Sequence, residues 1–492
     1  MPQPRSPVPV FDAMKALAFV GDLSMGQPTD HSIRTAWLAG RIARTAGFDD
    51  AAAHAAQDAA LIRWSGCTAN APDFSELFGD DVGGREAMLA GRAGWSTPLE
   101  QHGGVAVAIK PLVEIHCEVS GEVGARLGLS AATQAILRNV FETWDGGGLT
   151  GQRDGASVPP GVFVVALAGD LEIFSRTYGP VRARDLISRK SGSTYPPDLA
   201  EVVLSEGERW IAELDAHTPH ALAASLATQH AARTAAVELL ADIVDLKLPW
   251  MTGYSRAVAT AAAECAANRS CTDDAVETVY RAGLVHGIGR AAVPNTIWNT
   301  HGPLPESAWE KVRLVPYWTS RAGRQAGELA DAAELGSYAY ERNDGSGYFR
   351  ALGKQAIDTI GPEAQIVAAT VAWVALRSRR PWRDALPDHE AAALLRDEAA
   401  RGRFDRTVID MLVSGGRAES IEFRRDTAGS VLTPRELDVL RAISRGGSNK
   451  EVAKALTLSP STVRTHVENT FRKLGCSTRA AATLKASSMG LL

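Results

Sequence analysis

The chain has 492 residues, of which 45% are hydrophobic and 22% charged, a composition typical of globular domains rather than of disordered or fibrous chains. Single hydrophobic cores stop growing at about 250–300 residues, so two to four domains are expected. The five cysteines are scattered without C-x-x-C pairs, and no apolar run approaches the roughly 18 residues of a membrane span. We therefore expect a cytoplasmic protein with no membrane partner and no cofactor.

The net charge of −5 is unevenly distributed along the chain. Residues 430–492 contain ten Lys/Arg and four Asp/Glu, a net charge of +6, which leaves −11 for the remainder. A basic segment attached to an acidic body is typical of a protein in which one part contacts nucleic-acid phosphates. A solvated charged surface without a partner is the alternative interpretation.

Helix signals follow one another closely from residue 431. Thr433 and Ser448 each precede a glutamate by three positions, which is the capping-box pattern at a helix start. Ser459 predicts the start of a third helix and Gly475 its end, and a fourth helix is expected over about 478–489. The pattern predicts four short helices, of which the second and third are joined by a tight turn.

The stretch LTPRELDVL…SNKEVAKALTLSPSTVRTHVENTFRKLGCSTRAAA resembles the LuxR-type helix-turn-helix over nearly its whole length. The resemblance implies a module that binds double-stranded DNA, with residues 461–474 as the recognition helix and the helix at 479–489 packing two copies together. The predicted DNA-binding residues are Lys450, Ser461, Thr462, Arg464, Thr465, His466, Glu468, Arg472 and Lys473. Of these, Arg464 could make a bidentate contact to guanine.

Two of these positions leave alternatives open. Glu468 departs from the basic or polar residue common in the family, and it would either accept a hydrogen bond from cytosine or repel the DNA backbone. His466 is either a phosphate contact or a packed or solvated helical histidine. For the whole module, the alternative is a small helical bundle that mediates protein contacts.

The residues before the linker contain an internal repeat. His31 and Arg63 are 32 residues apart, within similar Ala-rich segments, and Tyr254 and His286 are separated by the same 32 residues. Such self-similarity indicates related structural units in tandem.

A second pair of spacings supports the repeat. His116 and Glu142 are 26 residues apart, as are Val315 and Glu341. The sequence therefore predicts an all-α fold: two tandem HD-like helical domains followed by a four-helix LuxR-type helix-turn-helix domain. The predicted boundaries are 1–215 and 216–418 for the two modules, 419–430 for a linker and 431–492 for the DNA-binding module.

The family of these modules is indicated by two segments of the second one. RAGLVHGIGRAAVPNTIW and YERNDGSGYFRAL resemble the histidine-aspartate and Gly-Tyr-Pro segments of HD-GYP phosphohydrolases. In that family, His and Asp side chains hold two or three divalent metals that activate water for phosphodiester hydrolysis. By the resemblance, His286 alone remains of these ligands. The other ligand positions hold Tyr254, Gly287, Val315, Tyr340 and, approximately, Val371, and Phe349 replaces the signature proline.

The first module keeps different residues of the same pattern. His31, His116 and Asp170 stand at or beside ligand positions, but the central pair is Arg63-Trp64. A guanidinium among would-be ligands opposes the binding of a metal cation. The three residues therefore either hold a single metal ion or are satisfied polar residues of the core.

We therefore expect a body that is not an enzyme, with no catalytic residues and no metal. One cleft per module is the default small-molecule site, although the clefts could instead be filled, leaving the modules to serve in dimerisation. The predicted pocket residues are His31, Arg63, Trp64, His116, Asp170, Tyr254, His286, Tyr340 and Trp373. The expected protein is a homodimeric transcription regulator that responds to a small molecule. The alternative is a metal-dependent HD-type phosphohydrolase that carries a DNA-binding module.

Overall fold

The computed structural model describes residues 6–149, 155–227, 230, 233–350, 352, 360–415 and 431–492. The predicted linker at 419–430 lies outside these residues. The described elements are helices apart from two paired strands, β1 (Pro7–Pro9) and β2 (Thr234–Ala236), so the predicted all-α fold class is confirmed. No helix in the described part of the chain is long and apolar enough to cross a membrane.

The chain divides into two compact units, which we call the N-terminal unit (Pro9–Ala235) and the C-terminal unit (Met1–Val8 with Ala236–Leu492). The sequence analysis places the first boundary at 215/216 instead. The helix at Pro219–Leu226 packs against the helix at His31–Thr45, and its residues therefore belong with the N-terminal unit.

The N-terminal unit is an all-helical body. Its helices are α1 (Val10–Ser24), α2 (His31–Thr45), α3 (Asp50–Ile62), α4 (Ala71–Phe78), α5 (Asp81–Leu89), α6 (Val105–Arg126), α7 (Ala131–Arg138), α8 (Gly161–Tyr178), α9 (Pro180–Lys190), α10 (Pro197–Ala216) and α11 (Pro219–Leu226). α2 packs closely along α3. The close approach follows from small side chains, because Ala36, Ala39, Ala56 and Ala59 are fully buried.

The C-terminal unit begins with a second helical body. Its helices are α12 (Val237–Asp245), α13 (Tyr254–Asn268), α14 (Asp273–Val285), α15 (Asn295–Trp298), α16 (Glu306–Arg313), α17 (Val315–Gln325), α18 (Ala330–Gly336), α19 (Pro362–Leu376), α20 (Asp388–Ala400) and α21 (Arg406–Gly415). The main core lies among α13, α14, α19, α20 and α21, and includes Val258, Val279, Ile366 and Val408.

The last four helices of the C-terminal unit form the DNA module. They are α22 (Pro434–Ser444), α23 (Asn449–Leu456), α24 (Pro460–Leu474) and α25 (Arg479–Ser488). Their own hydrophobic core includes Val439, Ile443, Val452, Val463 and Ala482. The four helices expected from the sequence are therefore present.

The two bodies share a local arrangement at the start of equivalent helices. At α2, Asp22 accepts hydrogen bonds from the N and Oγ atoms of Ser32 at 3.1 and 2.6 Å. At α13, Asp245 accepts from the same two atoms of Ser255 at 2.8 and 2.7 Å. The repeated sequence pattern thus corresponds to repeated geometry.

A second shared feature is a glycine that lets a turn approach the next helix. A Cβ atom on Gly66 would overlap the carbonyl oxygen of His116, and one on Gly289 would overlap that of Val315. Only glycine fits a turn this close to another backbone. His116 and Val315 are the residues that the repeat aligns, so the tertiary contact is repeated as well.

Candidate DNA-binding and ligand-binding sites

Side-chain caps set the starts of the helices in the DNA module. Thr433 N donates to Glu436 Oε2 at 2.7 Å while the Thr433 hydroxyl accepts from Glu436 N at 3.3 Å. Ser448 and Glu451 form the same reciprocal pair at 2.8 and 3.3 Å. Ser459 Oγ caps α24 by accepting a backbone N–H at 3.0 Å. The three predicted helix starts are confirmed, because each is decided by hydrogen bonds within four residues.

One side of α24 is buried and the other faces outward. Val463 and Leu474 lie in the core of the module, with 0% and 5% of their surface exposed. The side chains predicted to contact DNA on this helix are exposed at Ser461, Thr462, Arg464, Thr465, Glu468 and Arg472, and half-buried at His466 and Lys473, while Lys450 on α23 is exposed. A polar, basic helix face of this kind matches what a major groove accommodates.

Arg464 and Glu468 form an ion pair on the exposed face of α24. Arg464 Nε lies 2.8 Å from Glu468 Oε1, and the two side chains are 76% and 63% exposed. Exposed pairs at this i, i+4 spacing contribute only about 0.3–0.5 kcal/mol. The pair therefore orients Arg464 in the free protein without holding its guanidinium away from another acceptor.

Lys473, predicted to lie near a phosphate, has an internal partner in the structure. Its ammonium donates to Glu436 Oε2 at 2.7 Å, and thereby joins α24 to the capping box of α22. Burial alone would raise the pKa of Glu436, but Lys473 and Thr433 lower it below the ordinary value. The charge of Lys473 is therefore already balanced within the module.

The DNA module contacts the helical body of the same unit. Thr252 Oγ1 donates to the carbonyl oxygen of Ser444 at 2.7 Å, and the Ser444 hydroxyl accepts from Thr483 on α25 at 2.9 Å. α25 packs directly on α12 of the body. Thr483 and Leu484 are buried, although Ala482 and Ala486 are the α25 residues in the module's own core. The helix predicted to join two copies is therefore covered by the body.

In the C-terminal unit, the retained histidine is bonded to an arginine. The Nδ1 atom of His286 lies 2.7 Å from the carbonyl oxygen of Gly283, and its Nε2 atom lies 2.6 Å from Arg290 Nη2. Burial and the nearby guanidinium lower the pKa of His286 well below its ordinary value, so the ring is neutral. The neutral tautomer then donates from Nδ1 and accepts at Nε2, the usual arrangement of a metal-ligating histidine. Here the acceptor atom receives a guanidinium N–H.

The surroundings of Arg290 explain how its side chain fits. A Cβ atom on Gly287 would overlap Arg290 Nη1, so the glycine at this position makes room for the guanidinium. Arg290 also donates to the hydroxyl of Tyr340 at 3.2 Å and lies over the ring of Tyr254 at 5.1 Å. The structure thus brings Tyr254, His286 and Tyr340 of the predicted pocket together around this arginine.

Two further observations concern the same site. Tyr254 donates from its hydroxyl to the carbonyl oxygen of Val371 at 3.0 Å, which joins α13 to α19. Trp373, predicted to line the cleft, lies in the main core with 3% of its surface exposed and packs against Arg377. Its ring contributes to packing on α19, because it stands on the buried face of that helix.

The N-terminal unit repeats the histidine–arginine contact with different residues. Arg63 Nη2 lies 2.9 Å from His31 Nε2, and His31 Nδ1 lies 2.6 Å from Glu172 Oε2. A Cβ atom on Gly169 would overlap the Arg63 guanidinium, so a glycine again provides the space. Burial lowers the pKa of Arg63 to about 10, which leaves it protonated at neutral pH.

Glu172 is the carboxylate of this second cluster. Burial alone would raise its pKa, but His31 and Arg176 lower it to about 2, so the side chain is ionised. Asp170, predicted to stand with His31, instead pairs with Lys190 at 2.7 Å and with the hydroxyl of Tyr195. The correction has a helical cause, since residues two apart project about 200° apart around a helix axis.

His116 and Trp64 complete the predicted N-terminal pocket. The Nε2 atom of His116 lies 2.8 Å from the carbonyl oxygen of Arg63, and burial lowers the pKa of His116 to about 3. The Arg63 guanidinium lies over the ring of Trp64 at 4.3 Å. His31 and His116 thus both contact residue 63, one through its side chain and one through its backbone.

The sequence analysis missed Glu172, Arg290 and Arg380. The offset of 199 residues that aligns His116 with Val315 also aligns Glu172 with Val371, and that offset could have identified Glu172. No comparable signal marks the two arginines, because their roles depend on which helices meet at His286.

The side chains of these two clusters do not fit the metals that the HD-GYP resemblance implies. In each cluster, a guanidinium lies on the histidine nitrogen that would bind a cation. Across the ranges that the structure describes, no three His, Cys, Asp or Glu side chains are placed to hold a metal ion. We therefore derive no step through a metal at either cluster.

A helical body followed by a four-helix module with an exposed recognition helix is the architecture of a DNA-binding regulator. Residues 238–408 match the family described as HD domain, and residues 430–486 match the bacterial regulatory proteins of the luxR family. The chain therefore contains an HD domain and a LuxR-type DNA-binding domain, as the resemblance implied.

Relatives of the body are enzymes. The chain is 26% identical over 421 residues to 3'3'-cGAMP-specific phosphodiesterase 3 of Vibrio cholerae, covering 79% of this chain and 91% of that protein. A crystal structure of a cyclic GMP-AMP specific phosphodiesterase of V. cholerae superposes with a TM-score of 0.60 at 22% identity, covering 84% of this chain and 98% of that one. The superposition shows a common fold.

A relative of the C-terminal module is a response regulator. The chain is 51% identical over 55 residues to the nitrate/nitrite response regulator protein NarP of Escherichia coli, covering 11% of this chain and 26% of that protein.

The expectation that the chain is not an enzyme is contradicted by these comparisons. A phosphodiesterase similar over 79% of the chain points to a hydrolase. The expectation rested on the replaced ligand positions alone and gave no weight to similarity across the rest of the body.

Proposed function

We propose that this protein is a cytoplasmic transcription regulator in which the HD domain holds the DNA module in a docked arrangement until a small molecule binds the body. The observation that carries the proposal is the packing of α25 on α12, together with the hydrogen bond from Thr252 to Ser444. An effector can release the module only if it binds the undocked arrangement more tightly than the docked one.

Docking of α25 would compete with dimerisation. By the LuxR resemblance, this helix packs two copies of the DNA module together, and a single module makes too few base contacts for specific affinity. Thr483 and Leu484 are buried in the docked arrangement and would have to be uncovered to meet a second copy. The undocked protein would then bind two half-sites as a homodimer.

The exposed face of α24 would read the DNA. Arg464 and Thr465 project from its outward side, where they would meet base edges. Lys450, Ser461, Thr462, His466 and Arg472 would contact or approach phosphates. Glu468 would leave Arg464 when the guanidinium meets a guanine, since a bidentate base contact is worth about 1–3 kcal/mol and the exposed pair much less.

Disrupting the docking contact tests this proposal. Thr252→Arg removes the hydrogen bond to Ser444 and places a long cation in the contact. The matched control is Thr407→Arg, which adds the same side chain at an exposed position on α21. DNA affinity would be measured by fluorescence anisotropy at fixed salt, with a duplex selected from a random pool by the wild-type protein.

We expect Thr252→Arg to bind the duplex about 5-fold or more tightly than wild type, which corresponds to about 1 kcal/mol. It should also form more dimer in light-scattering measurements. Thr407→Arg should match wild type in both. Equal DNA affinity and equal dimer content in Thr252→Arg and wild type would refute control by docking.

A second candidate function, hydrolysis of a cyclic dinucleotide, is favoured by similarity to a 3'3'-cGAMP-specific phosphodiesterase over most of the chain. The test is the metal content of the purified protein together with turnover of 3'3'-cGAMP in Mn²⁺. Linear product from wild type and its loss in His286→Ala would establish this activity. Absence of turnover in protein that binds metal and is fully folded would refute it.

A further inference from the structure

The HD domain contains a second buried arginine beside Arg290. The guanidinium of Arg380 lies between two aromatic rings, 4.9 Å from the ring of Trp250 and 4.9 Å from that of Tyr254. Arg290 lies over the same Tyr254 ring at 5.1 Å. The two arginines are 8% and 4% exposed, so both cations are almost completely removed from water.

Both guanidiniums carry an unused donor. The Nη1 atoms of Arg290 and Arg380 are buried and have no hydrogen-bond partner among the residues that the structure describes. A buried N–H without an acceptor is unfavourable, and more so when it carries charge. The two unused donors mark a place where an acceptor is needed.

The negative charge near these arginines is small. Asp245 Oδ1 lies 3.8 Å from Arg290 Nη1, beyond hydrogen-bond distance, and the carboxylate already accepts two bonds from Ser255. Burial raises the pKa of Asp245 to about 7, although Arg290 opposes the shift. Like charge from Arg290 and burial together lower the pKa of Arg380. One partly ionised carboxyl therefore faces two cations.

The N-terminal unit shows what a balanced cluster looks like. There a single arginine, Arg63, is attracted by Asp170, Asp22 and Glu172, and the last of these is ionised. The buried histidine and the glycine that makes room are present in both units. The difference is an excess of positive charge in the C-terminal unit.

We propose that Arg290 and Arg380 form a binding site for a phosphate group, supplied either by free phosphate or by the phosphodiester of a nucleotide. Guanidiniums match the oxygens of a phosphate with paired N–H donors and retain their charge when buried. Trp382, 46% exposed, packs edge-on against Trp250 at 6.0 Å and connects Arg380 to the surface. Exposed rings beside a phosphate site suit a nucleotide base, so a nucleotide binds more tightly than free phosphate.

The site deepens the proposed function, since it names the chemistry of the effector, and its test does not involve DNA. Isothermal titration calorimetry on the full-length protein would use inorganic phosphate and 3'3'-cGAMP as separate probes, with chloride at matched ionic strength as the blank. The variants are Arg380→Gln, which removes the charge, and Arg380→Lys, which keeps the charge but loses the paired donors. Arg377→Gln is the matched control, because Arg377 also stacks on a tryptophan of the same helical region but pairs with Asp388.

We expect saturable binding of at least one probe to wild type and to Arg377→Gln, with 3'3'-cGAMP at least 10-fold tighter than phosphate. Arg380→Gln should weaken binding at least 10-fold and Arg380→Lys by a smaller factor. Binding of phosphate without the dinucleotide would support the phosphate site and assign free phosphate as its source. No saturable binding of either probe, or unchanged binding in both Arg380 variants, would overturn the proposal. If Arg380→Gln does not fold, the Lys variant decides, and wild-type affinity in that variant would overturn it.

Discussion

The Nε2 atom of His286 lies 2.6 Å from the Nη2 atom of Arg290. The side chain nitrogen that would bind a metal is therefore occupied by a protein cation. His31 and Arg63 make the same contact at 2.9 Å, although Arg63 stands 32 positions from its histidine and Arg290 only four from His286. Equivalent chemistry is thus reached from unrelated sequence positions, in each case beside a glycine.

The glycine beside Arg290 gives the first prediction. In Gly287→Ala, the added methyl group would overlap Arg290 Nη1 and lie 2.9 Å from its Cζ atom, so the guanidinium must leave His286. Overpacking of a filled interior costs about 1–3 kcal/mol, and we expect the free energy of unfolding to fall by that amount in urea titrations. Gly361→Ala is the control, because the nearest atom to its methyl group would be a flexible carboxylate oxygen at 3.6 Å. Equal stability of the two variants would contradict this account of the site.

The second prediction concerns Arg464. Its guanidinium is exposed on α24 and held only by Glu468, so Arg464→Ala should leave the fold unchanged. We expect loss of about 1–3 kcal/mol of discrimination between the selected duplex and a scrambled one, with little change in binding to the scrambled duplex apart from one charge. Competition binding at constant salt measures this difference. An unchanged footprint would place the recognition face elsewhere on the module.

Glu468 provides a third and opposite prediction. Glu468→Gln removes a negative charge from the face that would meet DNA and releases Arg464 from its ion pair. We expect affinity for any duplex to rise about 2- to 5-fold, in keeping with the small energies of exposed charges. Asp438→Asn on α22 changes the charge of the module equally and serves as the control. If the two variants bind equally well, Glu468 has no special position relative to DNA.

The fourth prediction concerns pH. Because burial raises the pKa of Asp245 to about 7, above its ordinary value of 3.8, the folded protein retains a proton that the unfolded chain releases. The contribution of this group to stability is complete below about pH 4 and is lost as the pH rises to about 7. Asp245→Asn cannot release the proton, so we expect its unfolding free energy to fall less than that of wild type between pH 4 and 7. Parallel pH profiles for the two proteins in urea titrations would show that Asp245 does not keep this proton.

Some features of this protein follow from the sequence because they are local. The helix starts at Thr433, Ser448 and Ser459 were predictable, since each cap is formed by hydrogen bonds within four residues and the residue types alone identify it. The family of the DNA module was recognisable for the same reason. The repeat was visible because equal spacings, such as those ending at His286 and Glu341, survive when individual side chains change.

The contents of the two clusters were decided by tertiary structure. His31 meets Glu172 across 141 residues, and the choice of Glu172 over Asp170 depends on the rotation of α8 against α2. Likewise, the packing of α25 on α12 cannot be read from either helix alone, because an apolar face predicts burial but not the surface that covers it. Contacts between distant segments depend on how helices pack, and a single replaced residue, such as Gly287, changes which side chain fills the space.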